Sequence, residues 1–170
     1  MTQALTIAKF GGTSVANYEA MQKCARIVLA NEATRIVVVS ASAGVTNHLV
    51  SMAHTPMTQE QISDVCKAVE EIENAILTKL SNPDAVKGKL EDLLAEMREL
   101  AFHEEILHRD DLKDQLLSMG ERMSSLLFSA VVSEQHDAVM NFDVRKVLRT
   151  DSEFGEAAPQ LETIHELALQ

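Results

Sequence analysis

Lys9 stands directly before an aromatic, two glycines and two hydroxyl residues, in the run Lys9-Phe10-Gly11-Gly12-Thr13-Ser14. Glycines let backbone N–H groups close on an anion, a following helix offers a positive dipole end, and the lysine adds a full charge. The combination suits a phosphate cradle. The same spacing also suits an ordinary strand-to-helix turn with a Thr or Ser cap, and spacing alone does not separate the two. Two common phosphate motifs are excluded. A P-loop carries its lysine after the glycines and directly before Ser or Thr. A dinucleotide fingerprint needs three spaced glycines and an acidic residue closing the second strand, where this sequence has Ser40.

A second run, Ser40-Ala41-Ser42-Ala43-Gly44-Val45-Thr46-Asn47, follows a strand-like stretch. Ligands of a parallel sheet bind at the carboxyl ends of its strands, so this loop and the Gly-Gly loop would face each other there. Taken alone, such a loop also reads as a tight turn. A third run, Ser118-Met119-Gly120-Glu121-Arg122-Met123-Ser124, lies inside an apolar helical pattern. Glycine in a helix interior costs about 1 kcal/mol relative to alanine, so Gly120 implies close approach of another group. Glu121 falls near the apolar side, flanked by Leu117 and Leu127, where a carboxylate wants a cationic partner. A solvated glutamate paired with a nearby Lys or Arg fits the spacing equally well.

Other reactive residues give weaker signals. His48, His54, His103, His108, His136 and His165 show no ligand spacing, so no metal site is expected from them. Glu70, Glu71 and Glu73 read as a wet helix face. Cys24 and Cys66 sit at helical apolar positions and read as buried, inert thiols.

The elements that must position these runs follow from periodicity. Leu5 to Ala8 reads as a short strand. Ala20, Met21, Cys24, Ala25 and Val28 recur at helical spacing, and Ile36 to Val39 is a β-branched run typical of a strand buried on both faces. Strand, helix, strand implies a right-handed parallel crossover. A short helix is predicted from about Thr46 to Ala53, closed by Pro56. Thr58 and Gln61 form a capping box for a helix with the stripe Ile62, Val65, Cys66, Val69, Ile72, Ile76 and Leu80. Asn82 caps the next helix with Pro83 in its first turn, and Val86, Leu90, Leu93, Leu94, Met97 and Leu100 form its apolar side, so the two helices are expected to pair antiparallel. A further helix starts near Asp110. Ala138-Val139-Met140 reads as a third strand, and Pro159 to Gln170 as an amphipathic helix that stops in mid-pattern.

Bulk properties bound the reading. The chain has 170 residues, 46% of them hydrophobic, enough for one core. Its 15 basic and 26 acidic residues give a net charge of -11 with no basic stripe, which argues against nucleic acid as a partner. No secretion signal and no apolar run of about 18 residues is found, so a membrane is not expected as a partner and a reducing cytoplasm is.

Lys9-Phe10-Gly11-Gly12-Thr13-Ser14, the Ser40 to Asn47 run, Gly120-Glu121-x-Met123-Ser124 and Phe142-Asp143-Val144-Arg145-Lys146-Val147-Leu148-Arg149-Thr150 occur in the order found in aspartate kinases. Over essentially its whole length the chain resembles that family, most closely its lysine-sensitive bacterial type (aspartokinase III). The resemblance implies the α/β amino acid kinase (carbamate kinase-like) fold, a three-layer α/β/α sandwich with a mostly parallel sheet, here as its amino-terminal lobe. It implies transfer of the γ-phosphoryl group of ATP, with Mg²⁺, to the side-chain carboxylate of L-aspartate, the first step towards lysine, threonine and methionine. Lys9 would contact transferring phosphate oxygens. Gly11, Gly12, Thr13 and Ser14 would form the phosphate loop. Thr46 and Glu121 match positions that hold aspartate, Glu121 facing its α-ammonium group, with Ser40 and Ala41 lining the pocket.

Members of the family continue through a nucleotide-binding lobe and two ACT regulatory domains. The sequence alone therefore leads to the expectation of a fragment holding the aspartate-binding lobe, inactive by itself, and able to form a homo-oligomer. Two alternatives stand beside it: a kinase of the same fold acting on glutamate or acetylglutamate, and a non-catalytic module that self-associates through an incomplete sheet.

Overall fold

The structure is a computed structural model and describes residues 5–170. Two parallel strands, β1 (Thr6–Phe10) and β2 (Thr34–Val39), pair in register from Ile7↔Ile36 to Phe10↔Val39. Between them runs helix α1 (Tyr18–Leu29), which buries Met21, Cys24, Ala25 and Val28, the stripe read from periodicity. Beyond β2 come α2 (Val45–His54), α3 (Gln59–Leu77), α4 (Asp84–Ala101) and α5 (Asp110–Ser133), then a single 3-10 turn at Val144–Lys146 and α6 (Leu161–Ala168).

The core is helical and centred on α5. Leu116, Met119, Met123, Leu127 and Val131 are fully buried along one side of it, against apolar positions of α1, α2 and α4. Filling this space with interdigitating aliphatic side chains at near-crystalline density is the main stabilising term. Phe10 at the end of β1 packs on Phe128 of α5, ring centroids 6.0 Å apart, which ties the strand ends to that helix.

Caps define the helix ends. Thr58 Oγ1 accepts from Gln61 N–H while the Gln61 side chain accepts from Thr58 N–H, so the expected capping box is formed. Asn82 does not cap α4. The first helical carbonyl is that of Pro83, which accepts from Val86 and Lys87, and Pro83 itself occupies the cap position without a side-chain bond.

Three further expectations are corrected. β2 is not buried on both faces: Ile36 and Val38 are 54% and 46% exposed, and Ile7 beside them 65%. The helices cover only the face bearing Ala8, Phe10, Val37 and Val39. Ala138-Val139-Met140 is not a strand. Among the described residues no third strand lies within pairing distance, so the segment stays irregular with Met140 77% exposed. The last helix begins at Leu161 rather than Pro159 and buries none of its residues.

Candidate functional site

β1 ends at Phe10, and Gly11 leads into a 3-10 turn over Gly12–Val15 rather than straight into a helix. Ser14 N–H donates to Gly11 O at 2.9 Å, so the amides before it precede the first internal bond of the turn and are available to an anion. Neither Thr13 nor Ser14 caps the helix that follows. Asn17 does, its side chain accepting from Ala20 N–H at 2.9 Å. The dipole end of α1 is thus taken by its own cap, and any positive character here comes from Lys9 and the turn amides. The buried Cys24 thiol donates to Ser14 O at 3.2 Å and holds the turn against α1. Lys9, Gly11 and Thr13 are exposed, and Gly12 and Ser14 half-buried.

The Ser40 loop leaves β2 alongside this turn. Ser40 N–H donates to Phe10 O at 3.0 Å, extending the β ladder by one residue. The loop ends in Gly44, whose φ of +90° lies in the left-handed region where glycine carries no Cβ penalty, and α2 starts there with Val45 N–H bonded to Ser42 O. Thr46 occupies the first turn of α2 and is exposed.

Helix α5 closes the other side of the loop. A Cβ on Gly120 would stand 2.7 Å from Ala41 Cβ, so only glycine allows α5 and the loop to meet. The close approach inferred from a glycine in a helix interior is to Ala41. One residue on, Glu121 Oε1 accepts from Ala41 N–H at 3.2 Å. Ser124 Oγ donates to Ser40 O at 2.7 Å, so one turn of α5 holds both sides of the Ser40–Ala41 peptide. On the opposite side Gly12 packs against Ala41 O, where a Cβ would sit at 3.0 Å. The three runs singled out by their chemistry therefore converge on Ala41.

Glu121 is exposed, but among the described residues it lacks the cationic partner expected of it. Its partner is a backbone amide, and its exposed carboxylate keeps an oxygen free to accept another bond. The neighbouring Arg122 turns away to make a two-pronged ion pair with Glu96 of α4, at 2.5 and 2.8 Å.

Glu73 is not part of a wet face. It is fully buried on α3 beneath the loop, where Ser42 Oγ lies 3.2 Å from its Oε2 and its Oε1 has no partner. Burial pushes its carboxyl up to about 7, with the Ser42 hydroxyl pulling the other way. A signal for it existed: Cys66, Val69, Ile76 and Leu80 are spaced so that the stripe passes through position 73. Ser42 and Ser124 belong to the runs singled out in the sequence, but their partners, Glu73 and the Ser40 carbonyl, are set by the fold, since small hydroxyl residues carry no periodic signature. Cys24 and Cys66 are free and buried, which raises both thiol pKa values.

Known proteins are similar to this chain in sequence and fold. The model of the amino acid kinase family matches residues 4–167. The lysine-sensitive aspartokinase 3 of Escherichia coli is 41% identical over 164 residues, 96% of this chain and 36% of that protein. The crystal structure of E. coli aspartokinase III in complex with aspartate and ADP superposes with a TM-score of 0.90 at 41% identity, covering 98% of this chain and 37% of the other. The aspartate kinase of Clostridium acetobutylicum, 15% identical with a TM-score of 0.68, shares the fold. The chain spans a little over a third of the length of these relatives. With a match across nearly its whole length and the same backbone path, the chain belongs to the amino acid kinase family.

Proposed function

We propose that this chain supplies the acceptor side of an aspartate kinase site. In this reading Glu121 and Thr46 hold L-aspartate, Glu121 through its α-ammonium group, with Ser40 and Ala41 lining the pocket. Lys9 and the Gly11–Ser14 turn receive the phosphates. The observation that carries the reading is the junction at Ala41, which brings the phosphate-loop run, the Ser40 loop and Glu121 to one residue.

The chemistry asks for little more than positioning. The acceptor is already a carboxylate at neutral pH, so no strong base is required. The obstacle is bringing one anion up to another, and a lysine beside free turn amides neutralises charge where the two meet. Gly12 meets Ala41 O with no room for a Cβ, which seats the turn against the Ser40 loop, while the space at Gly11 is open. When bound, ATP with Mg²⁺ supplies the phosphoryl group. Action in a reducing cytoplasm accords with two buried, free thiols, and no helix among the described residues is long and apolar enough to cross a membrane.

The alternative acceptors separate at Glu121. A free α-ammonium group needs a facing carboxylate, whereas an acylated amine does not. Calorimetry of this chain with L-aspartate, L-glutamate and N-acetyl-L-aspartate tests this. L-aspartate is expected to bind best, and Glu121→Gln, which keeps the shape and an acceptor for Ala41 N–H, to weaken it about 10- to 100-fold, as for loss of one charged hydrogen bond. Equal binding of aspartate and its N-acetyl form would refute the assignment.

A further inference from the structure

Among the polar groups of the core, Glu73 stands apart. Among the described residues three side chains other than apolar ones are fully buried, Ser42, Glu73 and Ser124, and two of them are neutral hydroxyls that each have a hydrogen-bond partner. Glu73 Oε1 is the one buried side-chain polar atom without a partner among the described residues. It lies under the loop that the aspartate reading assigns to the acceptor. A half-partnered carboxylate in an apolar setting is costly, and removing the charge by protonation relieves most of that cost.

We propose that Glu73 is a positioning residue for the acceptor loop, its buried carboxyl seating Ser42 and so fixing where Ala41 presents its amide to Glu121. At 3.2 Å the Ser42 hydroxyl can donate to a carboxylate, or the protonated acid can donate to Ser42. The protonated form leaves only a carbonyl-like oxygen unpaired. The ionised form leaves a charged one, which must draw in water or move. Ser42 is covalently next to Ala41, and its carbonyl accepts the first amide of α2, just ahead of Thr46. A shift of Ser42 is therefore passed to both sides of the pocket.

No other charge competes for this role. Of the helices packed on α3, α1 brings the buried Cys24 thiol, and α2 carries His48 and His54, half-buried and exposed. From α4, Arg98 is engaged with Glu70, and from α5, Glu121 with Ala41. On α3 itself, Cys66 lies two turns before. None of these contributes to the position of the Glu73 titration, which burial and Ser42 set near 7. The link to aspartate rests on the reading of the preceding section, whereas control of the loop does not.

The test follows the Glu73 side-chain carboxyl by carbon NMR and the Ala41 and Ser42 amides by nitrogen–proton correlation from pH 5.5 to 8.5. It uses the whole chain and its Glu73→Gln and Ser42→Ala variants, with L-aspartate affinity measured in parallel. Glu73 is expected to titrate near 7, with both amides moving at the same midpoint. Affinity for aspartate should fall by up to about tenfold between pH 6 and pH 8 as the competent loop loses population. In Glu73→Gln, which keeps both histidines, the amides and the affinity should be flat. In Ser42→Ala the carboxyl should titrate higher and the Ala41 amide should no longer follow it. Amides that ignore the Glu73 midpoint, or that titrate alike in Glu73→Gln, overturn the proposal. Coupled amides without aspartate binding at any pH uphold loop control and sink the acceptor assignment.

Discussion

Replacing Gly120 and Gly88 by alanine, one at a time, makes the same chemical change in two helix interiors with opposite expected signs. Each substitution removes the backbone entropy penalty of glycine, a gain of about 1 kcal/mol. At Gly88 the new methyl on α4 meets nothing within 4 Å, so the gain stands. At Gly120 it arrives 2.7 Å from Ala41 Cβ, 3.2 Å from Leu49 Cδ1 and 3.4 Å from Val45 Cγ1. Carbon atoms rest at about 3.5 to 4.0 Å, and Ala41 Cβ is fixed to a backbone whose preceding peptide is held at its carbonyl by Ser124 and at its amide by Glu121. The loop or the helix must shift by most of an ångström. Overpacking of this kind costs roughly 1 to 3 kcal/mol, so the net effect runs from about zero to 2 kcal/mol destabilising. For a chain of this size Gly88→Ala should raise Tm by about 2 to 4 °C and Gly120→Ala should leave it unchanged or lower it by a similar or larger amount. Differential scanning calorimetry reads both. Gly120→Ala should also weaken aspartate binding, which Gly88→Ala should not. If Gly120→Ala stabilises as much as Gly88→Ala, the claimed contact between α5 and the loop is wrong.

The other expectations need less working. Removing the charge with Glu121→Gln should weaken aspartate without lowering Tm, because the amide contact survives. For Glu73 the folded pKa of about 7 lies above the ordinary 4.5, so the folded chain holds this proton more tightly and stability falls as pH rises from 4.5 to 7. Two and a half pH units at about 1.4 kcal/mol each is on the order of 3 kcal/mol, and urea titrations of wild type against Glu73→Gln should show the difference grow over that window and level off above it. Arg145 holds Asp143 down to about 2 from 3.8, so the pair stabilises above pH 3.8 and fades as pH falls towards 2. Being largely solvent-screened it is worth roughly 0.5 kcal/mol, which Asp143→Asn should lose at pH 6 and not at pH 2. Thr58→Ala removes one side of the capping box and should cost about 1 kcal/mol by chemical denaturation.

What the sequence revealed depended on whether a signal was local. The stripe of Met21, Cys24, Ala25 and Val28 and the box of Thr58 and Gln61 are written within single helices, and both appear as expected. Gly120 announced a close approach because its cost is intrinsic, yet which group approaches is a matter of folding, and Ala41 lies 79 residues away in sequence. Glu121 is similar: its type indicated a partner, and only the fold names a backbone amide. Ile36 and Val38 show the limit of composition, since a β-branched run specifies a strand without saying what covers each face. Glu73 was hidden by its neighbours Glu70 and Glu71, whose exposure was extended to it although helical phase placed it inward.

The grip of α5 on the Ser40–Ala41 peptide also bears on which changes the gene could tolerate. Gly120, Glu121 and Ser124 act together because they lie within one and a half turns of a rigid helix, and each residue of an α-helix advances the phase by about 100°. Point substitutions alter one contact at a time. A single inserted or deleted codon between positions 121 and 124 would instead swing Ser124 away from the Ser40 carbonyl while leaving Gly120 and Glu121 in place, splitting the clamp. A change of length is thus costlier here than in the connecting segments, and this stretch of α5 acts as a ruler whose spacing matters as much as its composition.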